Sequence, residues 1–463
     1  MNPSDPHEGQ PDAEPGAEPD SVFDEIRRER SSQSFAKSAA LRLIGLTVVA
    51  LAAWIISRNV SWTDTLVLEN ATGKVELPGT IAGDWRSTEI EFEMDVEAAG
   101  EAPLAPLGLD AADAAALEES RDIGRPWMVR KGELILPGGR VLLVVEGTPD
   151  AQGARPAKQI DWRPGMVRTF REIRVLQLIP ALGFLILASL CVATRWWRIL
   201  ILNHCRTSWY NAFRFTYSGL FFNAVVPGIN GGDVARAIAV VRHHPTRRAE
   251  AFMTVVVDRV IGLIGMILVG TVLVLTTDER LAPLRLPVSL FCGAILLGAV
   301  LFFHPSVRRL VRFDALVQKL PQSERLLRLD ATARKLLHSP AELGIALVFS
   351  FGNHVFNGLA VYTAASALGS TLGFQDWMTT MAISNTLAAV PLSPGGLGVG
   401  EVLFGSLAEM LGSSYALGVA TSLVYRLCLY AMSLLGGLVM LLPAGPARGP
   451  ASGPESEPES SAA

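Results

Sequence analysis

The sequence contains two glycine- and proline-rich stretches: Phe222-Asn-Ala-Val-Val-Pro-Gly-Ile-Asn-Gly-Gly-Asp-Val-Ala-Arg236 and Pro394-Gly-Gly-Leu-Gly-Val-Gly-Glu401. They interrupt the apolar runs 213–241 and 377–411. Proline and glycine in such numbers unwind a helix. Unwound backbone at membrane depth is tolerated only where it is buried in protein or lines a cavity. Each stretch therefore predicts a re-entrant hairpin of two half-helices, broken at Pro227, Gly228, Gly231, Gly232, Pro394, Gly395, Gly396 and Gly398.

The composition places these stretches in a membrane protein. Of 463 residues, 50% are hydrophobic and 18% are charged, whereas soluble domains carry about 25% charged residues. Charged residues are distributed unevenly, because long uncharged apolar runs alternate with polar segments. This pattern is typical of polytopic membrane proteins. This excludes a single soluble globular enzyme. A net charge of −4 without a basic soluble module also argues against nucleic-acid binding.

Six further apolar runs are predicted as full spans, since a span needs roughly 20 residues. They cover residues 38–57, 173–194, 251–277, 287–303, 343–368 and 416–442. If both hairpins are re-entrant, the basic segments and both termini fall on the cytoplasmic side, as the positive-inside bias requires. Those basic segments are 195–206, 242–248 and 304–340.

The two broken stretches have matching spacing. Pro227 precedes Arg259 by 32 residues, and Pro394 precedes Arg426 by 32. An acidic residue follows each proline, Asp233 after six positions and Glu401 after seven. In the predicted topology the first hairpin enters from the cytoplasm and the second from outside, which makes the repeat inverted. Inverted repeats with discontinuous helices are the architecture of many secondary transporters.

The domain organisation follows from these assignments. Residues 58–172 form a polar insert in which 90–96 alternates strictly, as in a half-buried strand. In the same insert, 134–136 and 141–145 flank a glycine-bearing turn, which predicts a hairpin. The predicted parts are a disordered cytoplasmic tail (1–37), a first transmembrane helix (38–57), an extracytoplasmic β-rich insert (58–172), a transmembrane bundle (173–442) and a second disordered cytoplasmic tail (443–463). The fold class is an all-α polytopic membrane protein with about six full spans, two re-entrant hairpins in an inverted repeat, and a small β-rich extracytoplasmic insert.

Six charged residues lie in or beside the apolar runs: Asp233, Arg236, Asp258, Arg259, Glu401 and Arg426. Each costs at least about 2.5–3.5 kcal/mol at a bilayer centre, so they need partners. They can neutralise one another across the repeat interface as structural ion pairs. Alternatively, some arginines bind a lipid phosphate in a polar cavity, because guanidinium matches phosphate in a bidentate fork.

A polar stripe runs along one helical face of the predicted span 343–368, because its members are three or four positions apart. These side chains can line a cavity, but interhelical hydrogen bonding is the more frequent use of such residues in membranes. We therefore favour interhelical hydrogen bonding. The stripe consists of Ser350, Asn353, His354 and Asn357.

Taken with Asp258-Arg259 and the upstream Thr194-Arg195-Trp196-Trp197, the two stretches resemble the membrane region of lysylphosphatidylglycerol synthases over about 173–442. The resemblance implies a flippase-like bundle with two re-entrant elements that moves or presents a lipid with a large polar head. In bifunctional members a soluble domain follows and attaches the amino acid. We expect a stand-alone member without aminoacyl transfer. Two features depart from the pattern: the insert 58–172, and Tyr425 at the position that corresponds to Asp258.

The function that we predict is translocation of a phospholipid or lipid-linked envelope precursor across the bacterial inner membrane, with the six charged residues along the headgroup path. The alternative is a non-transporting membrane scaffold that contacts an envelope enzyme through residues 58–172. An enzyme that acts on a lipid-linked sugar ranks last, because no catalytic group is recognisable. We expect membrane lipids as partners, and no nucleic acid, cofactor or metal.

Overall fold

The computed structural model describes residues 50–69, 74–95, 126–145, 155–225, 231–276, 279–310, 334–388 and 396–443, apart from positions 131, 138, 158, 304 and 337, together with a few isolated residues elsewhere. Residues 50–59 are helical. They are followed by a β-sheet and then by a bundle of helices. The fold is thus mostly helical, with its sheet in the N-terminal part.

The sheet has eight strands in the order β7-β6-β5-β4-β3-β2-β1-β8. All neighbours are antiparallel except β6 and β7. The strands are β1 (Asp64–Glu69), β2 (Lys74–Ala82), β3 (Glu89–Met94), β4 (Trp127–Arg130), β5 (Glu133–Ile135), β6 (Val141–Val145), β7 (Arg155–Ala157) and β8 (Gln159–Arg163). The predicted alternation in β3 is confirmed, because Ile90 and Phe92 are buried between exposed glutamates. The predicted β5–β6 hairpin is also confirmed, and Gly139 in its turn has a φ of 84°.

Eleven α-helices with described bounds follow the start of the sheet, in addition to the helical residues 50–59. They are α1 (Met166–Arg171), α2 (Leu178–Leu202), α3 (Trp209–Val225), α4 (Gly231–His243), α5 (Arg248–Thr276), α6 (Ala282–Phe303), α7 (Pro305–Leu310), α8 (Pro340–Ala367), α9 (Phe374–Ala388), α10 (Val399–Met410) and α11 (Tyr415–Met440). Within the described part of the chain, four helical segments are long and apolar enough to cross a membrane: Val175–Leu202, Arg248–Thr276, Pro340–Ala367 and Tyr415–Met440.

Four of the six predicted spans correspond to these four segments. The predicted span 287–303 lies in α6, which is not among the four. Helices α5, α8 and α11 match their predicted runs within a few residues. The predicted span 173–194 is too short, because α2 continues to Leu202. Arg195, which we assigned to a basic loop, is therefore inside a helix and is buried. Most of the predicted first span 38–57 lies outside the described residues.

Two pairs of short helices pack in matching ways. The helices α3 and α4 pack against each other, as do α9 and α10. A Cβ added to Gly232 would lie 2.1 Å from the Gly219 carbonyl oxygen, so these two glycines allow α3 and α4 to come close. Each pair also reaches across the bundle, since α3 packs on α11 and α9 packs on α5. We call α3, α4 and α5 the first unit, and α9, α10 and α11 the second unit.

The sheet is attached to the bundle through a buried carboxylate at the start of β1. Asp64 pairs with Arg168 of α1 at 2.8 Å and accepts the backbone N–H groups of Gly165 and Ile81 at 2.9 and 3.0 Å. Val60 and Met166 beside it pack into the apolar core of the bundle. The sheet and the bundle are therefore connected at this junction by an ion pair, by hydrogen bonds and by apolar contacts.

Candidate functional site

A buried carboxylate in α5 joins three helices of the bundle. Arg195 of α2 donates from Nε to Asp258 Oδ1 at 2.8 Å and from Nη2 to the Asp258 carbonyl oxygen at 3.3 Å. Arg236 of α4 donates from Nη2 to Asp258 Oδ2 at 3.2 Å. All three side chains are less than 5% exposed. A buried ion is tolerated only when it is paired and hydrogen-bonded, and here each carboxylate oxygen has its own arginine.

Packing fixes the position of Arg236 further. Its guanidinium carbon lies 4.2 Å from the ring centre of Trp196, close enough for a cation–π interaction. The Trp196 indole N–H donates to the Thr254 hydroxyl at 3.2 Å, which orients the ring. A Cβ added to Gly219 of α3 would lie 2.7 Å from Arg236 Cγ. A glycine at this point leaves room for the arginine side chain to pass.

A second acid extends this cluster toward the surface. Asp233, in the first turn of α4, accepts a hydrogen bond from Arg259 Nε at 2.7 Å, and its Oδ1 is 3.9 Å from Arg236 Nη1. Arg259 remains 54% exposed. We call Arg195, Asp233, Arg236, Asp258 and Arg259 the five-residue cluster. With three arginines and two aspartates it has a formal charge of +1. Within the described residues, Arg195 Nη1 and Arg236 Nε are buried without a hydrogen-bond partner.

The second unit has a simpler pair at the matching place. Glu401, in the first turn of α10, accepts from Arg426 of α11 through Nε at 2.9 Å and through Nη2 at 2.8 Å. The other carboxylate oxygen of Glu401 accepts the Gly398 backbone N–H at 2.6 Å. Gly398 precedes α10 with a φ of 82°, a left-handed conformation that glycine adopts without strain. The Glu401–Arg426 pair is formally neutral.

Uncharged hydrogen bonds join α8 to α11 and to α5. Tyr425 donates its hydroxyl proton to the Asn357 side chain of α8 at 2.8 Å, and Asn357 donates in turn to Asn353. Two other members of the polar stripe on α8 bond to backbone carbonyls of α5: His354 to Gly262 at 3.0 Å, and Ser350 to Ile261 at 3.5 Å. The interpretation of the stripe as interhelical hydrogen bonding is therefore confirmed.

The structure divides the six predicted charged residues into two groups. Asp233, Arg236, Asp258 and Arg259 lie together, whereas Glu401 and Arg426 form their own pair. These ion pairs join helices of the same unit: α4 to α5 in the first unit, and α10 to α11 in the second. They do not cross the interface between the two units, contrary to the prediction.

The predicted glycine and proline positions are only partly described. Gly231 and Gly232 open α4, and the Gly232 N–H donates to the Asn223 side chain at 2.8 Å. Gly396 lies against Ala388 at the end of α9 with a φ of 68°. The remaining four predicted positions lie outside the described residues: Pro227, Gly228, Pro394 and Gly395.

Sequence reasoning missed two members of this region, Arg195 and Trp196. Both residues belong to the motif that carries the family resemblance, but neither was among the predicted site residues. A signal was available, because the run Ile199-Leu200-Ile201-Leu202 continues the apolar pattern beyond them. A helix that extends over that run places Arg195 among apolar neighbours, where an arginine needs an acidic partner.

The chemistry open to these residues is charge recognition. Guanidinium groups bind carboxylates and phosphates in a fork, and a carboxylate can be replaced at an arginine by a competing anion. Within the described residues, no group of three or more His, Cys, Asp and Glu side chains could hold a metal ion.

Comparison with known proteins assigns the bundle to a family. The family model for the lysylphosphatidylglycerol synthase TM region matches residues 157–437, well over half of the chain. A UPF0104 membrane protein of Pyrococcus horikoshii is 24% identical over 313 residues, which covers 60% of this chain and 92% of that protein. The family match begins in β7 and ends in α11, so most of the sheet lies outside it. The chain therefore belongs to the family of the lysylphosphatidylglycerol synthase transmembrane region and is a multi-pass membrane protein.

Proposed function

We propose that this protein translocates a phospholipid or a lipid-linked envelope precursor across a bacterial inner membrane. One observation carries the proposal. In both units, an acid in the first turn of a short helix pairs with an arginine on the long helix that follows. The pairs are Asp233–Arg259 and Glu401–Arg426. Charges inside a membrane bundle mark substrate or ion pathways by default, and two matched pairs define such a pathway better than one.

The helix lengths support re-entrant hairpins. The helices α3, α4, α9 and α10 have 17, 13, 15 and 12 residues. At 1.5 Å per residue they reach only about 18–26 Å, short of the ~30 Å hydrocarbon core. The proposed topology therefore has two re-entrant hairpins in an inverted repeat and about six full spans. Both termini are cytoplasmic and the sheet is outside.

The ion pairs also suggest how a headgroup moves. A carboxylate holds each arginine in place while the site is empty, which avoids the cost of an unpaired charge. An arriving phosphate can replace the carboxylate, because the guanidinium group donates hydrogen bonds to either anion in the same fork geometry. Arg259 and Arg426 are thus the proposed headgroup contacts of the two units, with Asp233, Arg236, Asp258 and Glu401 as their partners along the path.

A dithionite assay tests translocation. The purified protein is reconstituted in liposomes with lipids that carry a fluorescent headgroup, and the reductant removes the outer-leaflet signal. We expect faster loss of the inner-leaflet signal than in empty liposomes, and the basal rate in the double variant Arg259→Ala/Arg426→Ala. Arg285→Ala is the matched control, because Arg285 pairs with Glu279 and belongs to neither of the two matched acid–arginine pairs. Wild-type rates in a folded double variant would remove the arginines from the path.

A scaffold function is the second candidate, and the eight-stranded sheet favours it. The side chains of Glu91 and Glu93 on β3 point away from the core of the sheet and are exposed. A partner that binds this face would be lost in the variant Glu91→Lys/Glu93→Lys, as measured by affinity purification from membranes. A translocase would keep its dithionite rate in the same variant. Deletion of the insert is a poor test, because Val60 and Met166 pack into the bundle core.

A further inference from the structure

Arg259 is an exposed cation in the middle of an apolar helix. It lies eleven positions after Arg248, where α5 begins, which is roughly 17 Å along a 29-residue helix. Its side chain is 54% exposed, whereas that of Arg426 in the second unit is 22% exposed. An exposed charge at this depth is costly next to hydrocarbon, so it faces water or an anionic partner.

The surface around Arg259 is apolar. On α4, Val234 and Ile238 are four residues apart and exposed on the same side as each other. On α5, Val260 and Leu263 are exposed next to Arg259. We call these four apolar residues the α4–α5 face. A cation set among exposed apolar side chains matches a ligand with one anionic group and long apolar chains.

The charge of the five-residue cluster specifies the sign of that ligand. Asp233 Oδ1 accepts both contacts from Arg259, through Nε and Nη2, and these contacts leave Nη1 for another acceptor. Deeper in the cluster, Arg195 Nη1 and Arg236 Nε are buried without a hydrogen-bond partner within the described residues. Three arginines against two aspartates leave one positive charge, which a single phosphodiester monoanion would balance.

We propose that the α4–α5 face is a lateral entry site for an anionic phosphodiester lipid, with the phosphate on Arg259 and the acyl chains on the four apolar residues. This rests on the proposed function and names its substrate class and its point of entry. The counterpart Arg426 is more covered and its pair is neutral, so we place no such entry site in the second unit.

Photo-crosslinking tests the site separately from transport. The full-length protein in nanodiscs is mixed with phosphatidylglycerol or phosphatidylcholine that carries a diazirine on one acyl chain, and the crosslinked peptides are mapped. We expect phosphatidylglycerol to label α4 and α5 at least tenfold more than phosphatidylcholine. Arg259→Ala abolishes this difference, Arg259→Lys keeps part of it, and Arg285→Ala leaves it unchanged. Val260→Trp fills the face and lowers labelling without touching a charge.

Each outcome decides the inference. Equal labelling by the two lipids, or wild-type labelling of Arg259→Ala, overturns it. If Arg259→Ala does not fold, the double variant Asp233→Asn/Arg259→Gln, in which both side chains are uncharged, replaces it, and the same criteria apply. Selective, Arg259-dependent labelling without dithionite-detected movement supports the entry site and contradicts the proposed function. If the protein moves lipid but its labelling is the same with and without the Arg259 side chain, the function is supported and the entry site is contradicted.

Discussion

The first and second units use similar helices but different electrostatics. Both place an acid in the first turn of a short helix against an arginine of the next long helix. Within the described residues, only the first unit is joined by Arg195 of α2 into a buried triad, Arg195–Asp258–Arg236, and its cluster has a surplus positive charge. Where the first unit has Asp258, the second has Tyr425, which bonds to an amide.

This difference separates two roles for charge. The acid–arginine pair accompanies the short-helix architecture, because it occurs in both units. The triad is an addition in one unit, where it ties α2 to α4 and α5 through a single carboxylate. The second unit ties α8 to α11 with an uncharged Tyr425–Asn357 bond instead. Removing the central residue should therefore have very different consequences in the two units.

The largest expected effect is at Asp258. Asp258→Ala leaves Arg195 and Arg236 buried without their carboxylate, and breaking a buried pair costs about 3–5 kcal/mol. We expect the free energy of unfolding to fall by that amount, as measured by denaturation in detergent micelles. A loss below about 1 kcal/mol is no more than the net contribution of one ordinary hydrogen bond. That result would mean that Arg195 and Arg236 find other partners when Asp258 is removed.

The neutral pair of the second unit should be less sensitive. Glu401→Gln removes the ionic partner of Arg426, whereas its side-chain oxygen can still accept the Gly398 N–H. Hydrogen bonds to charged groups contribute about 1.5–3 kcal/mol, so we expect a loss in that range. Thermal unfolding of Glu401→Gln and Asp258→Ala side by side shows which variant loses more stability. If Glu401→Gln were the more damaging variant, the electrostatic contrast between the units would be wrong.

Helix contact in the first unit provides a third comparison. Gly232→Ala directs a methyl group at the Gly219 carbonyl oxygen, and such overpacking costs about 1–3 kcal/mol. Gly183→Ala in α2 is the matched control, since a Cβ there meets nothing within 4 Å. The control should be neutral or more stable, by up to about 1 kcal/mol, because alanine favours helix. Equal effects of the two substitutions on the denaturation midpoint would show that α3 and α4 are not in tight contact.

The smallest expected effect is at Tyr425. Tyr425→Phe removes only the hydroxyl that bonds to Asn357, which should cost about 0.5–1.5 kcal/mol. The double variant with Asn357→Ala gives the coupling energy between the two side chains. A coupling energy near zero would mean that the hydrogen bond contributes nothing to the second unit, and that packing alone positions Tyr425.

Part of the site could be predicted from the sequence. Glycine and proline in apolar runs indicated where the short helices break, and matched spacing indicated that Asp233 and Glu401 correspond. Periodicity also predicted the β3 alternation and the stripe on α8, because both patterns are local. The interior position of Arg195 was missed, since a basic residue near the end of an apolar run resembles a loop charge until the helix end is known.

Composition and periodicity were enough to predict a multi-pass membrane protein with two broken segments, because both depend only on local order. Which charges form pairs depends on tertiary packing. Asp258 and Arg259 are neighbours in sequence, yet consecutive side chains on a helix point about 100° apart, since a turn takes 3.6 residues. Asp258 therefore faces inward to Arg195 and Arg236, whereas Arg259 turns outward to Asp233. Only the packing of α2, α4 and α5 could assign those partners.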